Sequence, residues 1–259
     1  MEVYSIEKTI RNLAQKFWMP GWIKDVFVAR RFVDRAMIFI NALNDLGKIL
    51  GIEVGLVILH VVDYTRTPTG ESYLTIHPEV IYGTESGIEA DYQRILEKYG
   101  QGIYEFEVER LIAKMNEGEL DRLYHPAGII HTHPLPPWFD ALLPRIKDKV
   151  LRMRHMPSPT DIKVLMEWSL QLGATELYDP NQVLITISPA TNRKSFMLIL
   201  EDLPRDPYRF LDDYEEISER YAEKILESGE INRREELVME WTGKIIELFI
   251  SHGGVIEQI

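Results

Sequence analysis

The sequence predicts an α/β fold, a mixed β-sheet flanked by helices, with a helical C-terminal extension. Three observations predict it. Short apolar runs at 52–62, 127–133 and 182–188 are bounded by glycine, proline or polar residues, as buried strands are. Longer stretches between them carry apolar residues at helical spacing. After about residue 203 the helical period dominates: Tyr214, Ile217, Tyr221 and Ile225 recur in one stretch, and Leu237, Trp241, Ile245 and Leu248 in the next.

The elements follow in order. Residues 1–24 form an N-terminal helical segment, with the helix over 5–18. A second helix spans 31–47, with Gly47 as its expected stop. IEVGLVILHVV (52–62) is a buried strand, TRTPTGES a turn, and YLTIHPEVIYG another strand whose Pro78 places it near an edge or bulge. Residues 88–99 and 105–116 read as helices. AGIIHTH (127–133) is a strand that the prolines of PLPP end. Residues 138–154 suit a helix that Pro144 would break or kink, and SPTDIKVLMEWSLQLG (158–173) carries a strong helix start. QVLITIS (182–188) and SFMLILE (195–201) form a hairpin. The main domain therefore covers 25–202, and 203–259 is an acidic extension of two amphipathic helices.

Composition bounds the function. With 259 residues, 45% hydrophobic and 27% charged, the chain has the profile of a soluble globular protein. No apolar run is long enough to cross a bilayer, and the N-terminus lacks a signal-peptide pattern, so the expected location is cytoplasmic, without membrane partners. A net charge of −12 argues against a duplex-binding surface, and no nucleic-acid partner is expected. There are no cysteines, so any metal must be held by histidine and carboxylate. Residues 134–157 run against the overall charge, with Arg145, Lys147, Lys149, Arg152 and Arg154 facing only Asp140 and Asp148. That segment is either a partner contact or an ordinary solvated helix face.

His131 and His133 are two residues apart at a strand end, so both imidazoles project from one face. The pair alone is a weak signal. In Pro157-Ser158-Pro159-Thr160-Asp161, Ser158 suits an N-cap, Pro159 the first helical position, and Asp161 lies three residues on. That pattern begins a helix with or without a metal. Two histidines and one carboxylate nevertheless leave the fourth tetrahedral position open, which is the geometry of a catalytic rather than a structural zinc site. Glu53 stands at the start of an apolar strand, where it can serve as a general base or simply reach solvent.

Taken together, Glu53, the His-Thr-His-Pro run at 131–134 and the Ser-Pro-Thr-Asp run at 158–161 resemble the signature of the JAB1/MPN/Mov34 (JAMM) metalloproteases, prokaryotic type: a Glu, then H-[ST]-H-P, then S-x-x-D. The resemblance covers about 25–201 and implies a cytidine-deaminase-like mixed sheet flanked by helices. It implies His131, His133 and Asp161 as ligands of a Zn2+ ion, and Glu53 as the base that takes a proton from the metal's water and passes one to the leaving amine. It implies Ser158 as the group that stabilises the oxyanion. The implied activity is that of a deubiquitinase-like isopeptidase or peptidase cutting after the C-terminal glycine of a ubiquitin-like modifier, whose conjugates would be its partners.

Two departures stand out. Around the base the family has E-x-G-G-x-L-x-G. Here Gly55 is kept, while Leu56 and His60 replace glycines, which leaves Glu71 and Glu85 as fallback bases. The 134–157 insertion between His133 and Ser158 exceeds the usual spacing and would emerge beside the zinc. It is either a lid or modifier-binding element with Trp138 and Phe139 as contacts, or a plain surface excursion. The rival reading is a catalytically silent MPN scaffold that mediates dimerisation, although such domains usually have lost ligands that this chain keeps. A zinc deaminase of the usual kind is disfavoured because no Cys-x-x-Cys is present. The C-terminal helices are candidates for a homodimer contact. The other histidines read as structural, with His155 the one closest to the proposed site, and Trp22, Trp168 and Trp241 are expected in cores.

Overall fold

The computed structural model describes residues 2–65, 70–83, 122–173, 181–200 and 207–259. The helices expected at 88–99 and 105–116, the tip of the TRTPTGES turn and Glu85 lie outside these residues.

The chain starts with α1 (Glu2–Ala14), a two-residue strand β1 (Met19–Pro20) and a long α2 (Val26–Leu50). The first helix therefore sits three to four residues upstream of the expected 5–18. Asp25 caps α2 by accepting the Val28 N–H at 2.8 Å, and Gly51 ends it in the left-handed conformation at φ 67°. Gly47, the expected stop, is instead inside the helix. A Cβ there would lie 2.9 Å from Pro189 Cγ and 3.1 Å from Thr132 Cγ2, so the glycine lets α2 approach the sheet closely.

The sheet is built from β2 (Val54–Asp63), β3 (Glu71–Ile76), β4 (Ile81–Tyr82) and β5 (Arg122–Thr132). Then α3 (Pro144–Met153) and α4 (Pro159–Gly173) precede the hairpin β6 (Gln182–Ser188) and β7 (Arg193–Ile199). Pro144 does not break a helix over 138–154. A 3-10 turn covers Phe139–Ala141, and Pro144 opens α3 at a position where its missing N–H has no partner to lose. The chain closes with α5 (Pro207–Glu227), α6 (Ile231–Ser251) and β8 (Val255–Gln258).

The strand order is β1-β3-β2-β5-β6-β7-β8, with β4 also pairing with β2. Only β5 and β6 run parallel; the other pairs are antiparallel. The result is mixed α/β, a curled mixed sheet with six helices among the described residues. Alternation along β2 separates two cores. Val54, Leu56 and Ile58 face α1 and α2, where Phe32, Phe39 and Leu43 are buried. Val57, Leu59 and Val61 face the other side, against Ile162 and Met166 of α4, Phe210 and Tyr214 of α5, and Ile245 and Phe249 of α6.

The extension after 203 thus contains the two expected helices, and their apolar faces complete the same core as α4. It also adds β8, which pairs with β7 and is pinned by Arg30 on α2 through a two-bond contact to Glu257 at 2.6 Å. Trp22 departs from expectation: it is 47% exposed. Trp241 packs against the second core and donates to the Ser218 hydroxyl at 3.1 Å.

Candidate metal centre

β5 positions two of the candidate ligands. Its bulge opposite Ile58 and Leu59 is bounded by Gly128, whose φ of 146° and contact with β6 suit glycine alone: a Cβ there would lie 1.8 Å from the Val183 carbonyl oxygen. Beyond the bulge Ile129, His131 and His133 share the α4 side of the sheet. Thr132 between them points the other way, accepts the Val54 N–H at 3.0 Å and packs under Gly47. The His133 N–H still donates to the Ile187 carbonyl at 2.7 Å, which extends the pairing with β6 by one residue before the prolines end it.

The third candidate ligand comes from the first turn of α4. Ser158 and Asp161 form a reciprocal cap: the Asp161 N–H donates to Ser158 Oγ at 3.1 Å, and the Ser158 N–H donates to Asp161 Oδ2 at 2.7 Å. The turn leading into it is fixed by the buried Ser195 hydroxyl, which donates to the His155 carbonyl.

These elements bring His131, His133 and Asp161 together, with one ligand atom from each lying within 4.8 Å of the others. Asp161 Oδ2 is 3.2 Å from His133 Nε2 and 3.5 Å from His131 Nε2, and the two ring nitrogens are 2.8 Å apart. A circle through three such points has a radius of about 1.9 Å, so a centre with the ~2.0–2.1 Å bonds of zinc reaches all three atoms at once. The two N···O separations match the roughly 3.3 Å edge of a tetrahedron with those bonds; the ring nitrogens would open by about half an ångström. The donor set, two imidazoles and a carboxylate with no thiolate, suits zinc and leaves room for a fourth ligand.

Electrostatics agree with the geometry. Burial pushes the Asp161 carboxyl up, but His131 and His133 outweigh it and hold Asp161 well below the usual carboxylate range. Burial pulls His131 down, yet Asp161, and after it Glu53, leave its pKa raised.

Glu53 immediately precedes β2. Gly55 pairs with His131, so continuing the antiparallel register puts Glu53 opposite His133 and on its face. Gly55 adds no side chain between them. The Glu53 carbonyl accepts the Gly83 N–H at 2.9 Å, which fixes the backbone there. By the same alternation Leu56 and His60 point to the α2 side, away from the metal group. Glu71 pairs with Asp63 at the opposite end of β2, far from the histidines.

The 134–157 insertion leaves His133 and returns at Ser158, docked on α6. Leu142, Ile146 and Val150 pack with Ile231 and Met239, and Trp138 donates to Glu235 Oε1 at 2.7 Å. Arg154, at the end of α3, is a group that sequence reasoning did not single out from the basic run. Its Nε is buried without a hydrogen-bond partner among the described residues. Burial lowers its pKa against the pull of Glu235 and Glu53. His155 lies outside the metal group; burial, with the nearby Arg193, lowers its pKa.

No family model, curated protein or solved structure matches the chain. No helix among the described residues is long and apolar enough to cross a membrane.

Proposed function

We propose that the chain is a zinc-dependent isopeptidase of the JAMM/MPN type, cutting after the C-terminal glycine of a ubiquitin-like modifier. One observation carries this reading: His131 and His133 from β5 and Asp161 from α4 converge on one point, with Glu53 on the same face of the sheet. A site built only to start a helix would not need two buried imidazoles against the capping carboxylate.

His131, His133 and Asp161 would hold the ion, which when bound would polarise the scissile carbonyl and lower the pKa of a water to about 7. Glu53 would take a proton from the attacking water as the water oxygen adds to the carbonyl carbon. The Ser158 Oγ already accepts the Asp161 N–H, so its own hydrogen is left to donate to the developing oxyanion, a contribution typically worth ~3 kcal/mol in the barrier. Glu53 then returns the proton to the leaving amine as the C–N bond breaks, releasing a modifier carboxylate and a free lysine or N-terminal amine.

The test is incubation of the full chain with a ubiquitin-like protein fused through a Gly-Gly linkage, with and without a zinc chelator. The expected result is cleavage after the glycine that the chelator abolishes and zinc restores. Cleavage that ignores the chelator, or none across a panel of such modifiers, would overturn the reading.

A further inference from the structure

A metal-bound imidazole normally donates its second ring N–H to an oxygen, which fixes its tautomer and orientation. His131 lacks such a partner: its Nδ1 is buried and unbonded among the described residues, while its Nε2 faces the metal group. His131 sits between β2 and β6, so its same-face neighbours can be enumerated. On β2 they are Gly55, which has no side chain, and Glu53, assigned to proton transfer. On β6 they are Thr186, directly beside His131, and Ser188, the next residue on that face, which neighbours His133. One strand further, Ser195 spends its hydroxyl on the His155 carbonyl.

Ser188 is the anomaly. It is fully buried, and its Oγ also has no hydrogen-bond partner. A buried hydroxyl without a partner is costly, and two such atoms on one face of adjacent strands call for a common explanation. We propose that Ser188 is a positioning residue for the metal centre: its hydroxyl receives the His131 Nδ1–H through one ordered water and holds the imidazole with Nε2 toward the ion. A water there would accept the His131 N–H and donate to the Ser188 hydroxyl, two hydrogen bonds that would hold it in place. Thr186, also buried on that face, stands directly beside His131. This inference rests on the metal reading of His131, His133 and Asp161.

The experiment measures zinc affinity of the full chain by competition with a chromophoric chelator, for wild type and Ser188→Ala, beside thermal melts of both metal-free proteins. Outer-shell partners typically contribute 10- to 100-fold in affinity, so Ser188→Ala should bind zinc at least about tenfold more weakly. Its metal-free form should still melt in one cooperative transition, because only one water-mediated hydrogen bond has been removed. A hydroxyl with only a structural role would leave zinc affinity unchanged. Unchanged affinity overturns the inference and leaves the metal reading standing, whereas a wild type that binds no zinc overturns both. Should Ser188→Ala fail to fold, long-range proton–nitrogen spectra of the zinc-loaded wild type decide the matter. A slowly exchanging proton on His131 Nδ1 is expected, and a rapidly exchanging or absent one contradicts the proposal.

Discussion

Asp161 Oδ2 accepts the Ser158 N–H at 2.7 Å and lies 3.2 Å from His133 Nε2. One carboxylate oxygen thus closes the first turn of α4 and presents charge to the histidine pair. The helix-capping and metal-binding readings of Ser-Pro-Thr-Asp coexist in the same atoms, and substitutions can separate them.

Asp161→Asn keeps an oxygen able to accept the Ser158 N–H but removes the negative charge. Zinc occupancy should fall sharply, and the metal-free protein should lose stability at neutral pH too, because the charge that His131 and His133 hold on the carboxylate is gone. Metal analysis with urea unfolding checks both. Undiminished occupancy would remove Asp161 from the ligand set.

Glu53→Gln preserves shape and removes the base. Turnover of a Gly-Gly fusion should drop by roughly 10²- to 10⁴-fold with zinc content unchanged. Loss of the metal in this variant would show that Glu53 is a ligand and not the base.

Gly128→Ala would push a Cβ to 1.8 Å from the Val183 carbonyl oxygen at a φ of 146°. Backbone cannot yield cheaply there, so a loss of roughly 3 kcal/mol or more is expected in equilibrium unfolding. A stability within 1 kcal/mol of wild type would contradict the register that places His131.

Glu235→Ala should cost about 1 kcal/mol, because it removes the acceptor of the Trp138 N–H and the pull that Glu235 exerts on Arg154. Adding Arg154→Met to that variant should cost less than the sum of the two single losses. Strict additivity would show that the two residues do not interact.

Burial lowers His60 from 6.5 to about 4. Above pH 6.5 the folded and unfolded chains both carry it neutral, and it contributes no pH dependence. As pH falls from 6.5 toward 4 the unfolded chain takes up a proton that folded His60 refuses, so stability declines, by about 3 kcal/mol in all. Metal-free His60→Gln should therefore lose less stability than metal-free wild type across that window. Parallel pH curves would contradict the burial of a neutral imidazole.

Much of this was legible in the chain because it is local. Strand alternation puts His131 and His133 on one face, a proline after a serine starts a helix, and short apolar runs mark the strands. What was not legible depends on distant partners. Gly47 and Gly51 look alike as helix stops, and only the approach of Pro189 and Thr132 shows that Gly47 is a packing position. β8 is four residues long, too short to carry a period, and its pairing with β7 follows from where α6 delivers it. Which side of the sheet Leu56 and His60 face follows only from the register of β2 with its neighbours. Arg154 and Ser188 carried no signal of their own, because their burial arises from an insertion folding back and from one parallel strand pair.

The measurement closest to the centre of this account is the zinc content of the purified full chain beside that of the His131→Ala/His133→Ala double variant. One zinc per chain in the wild type and none in the variant is the predicted result. A wild type that takes up no zinc, or a variant that keeps it, would contradict a metal centre at this site.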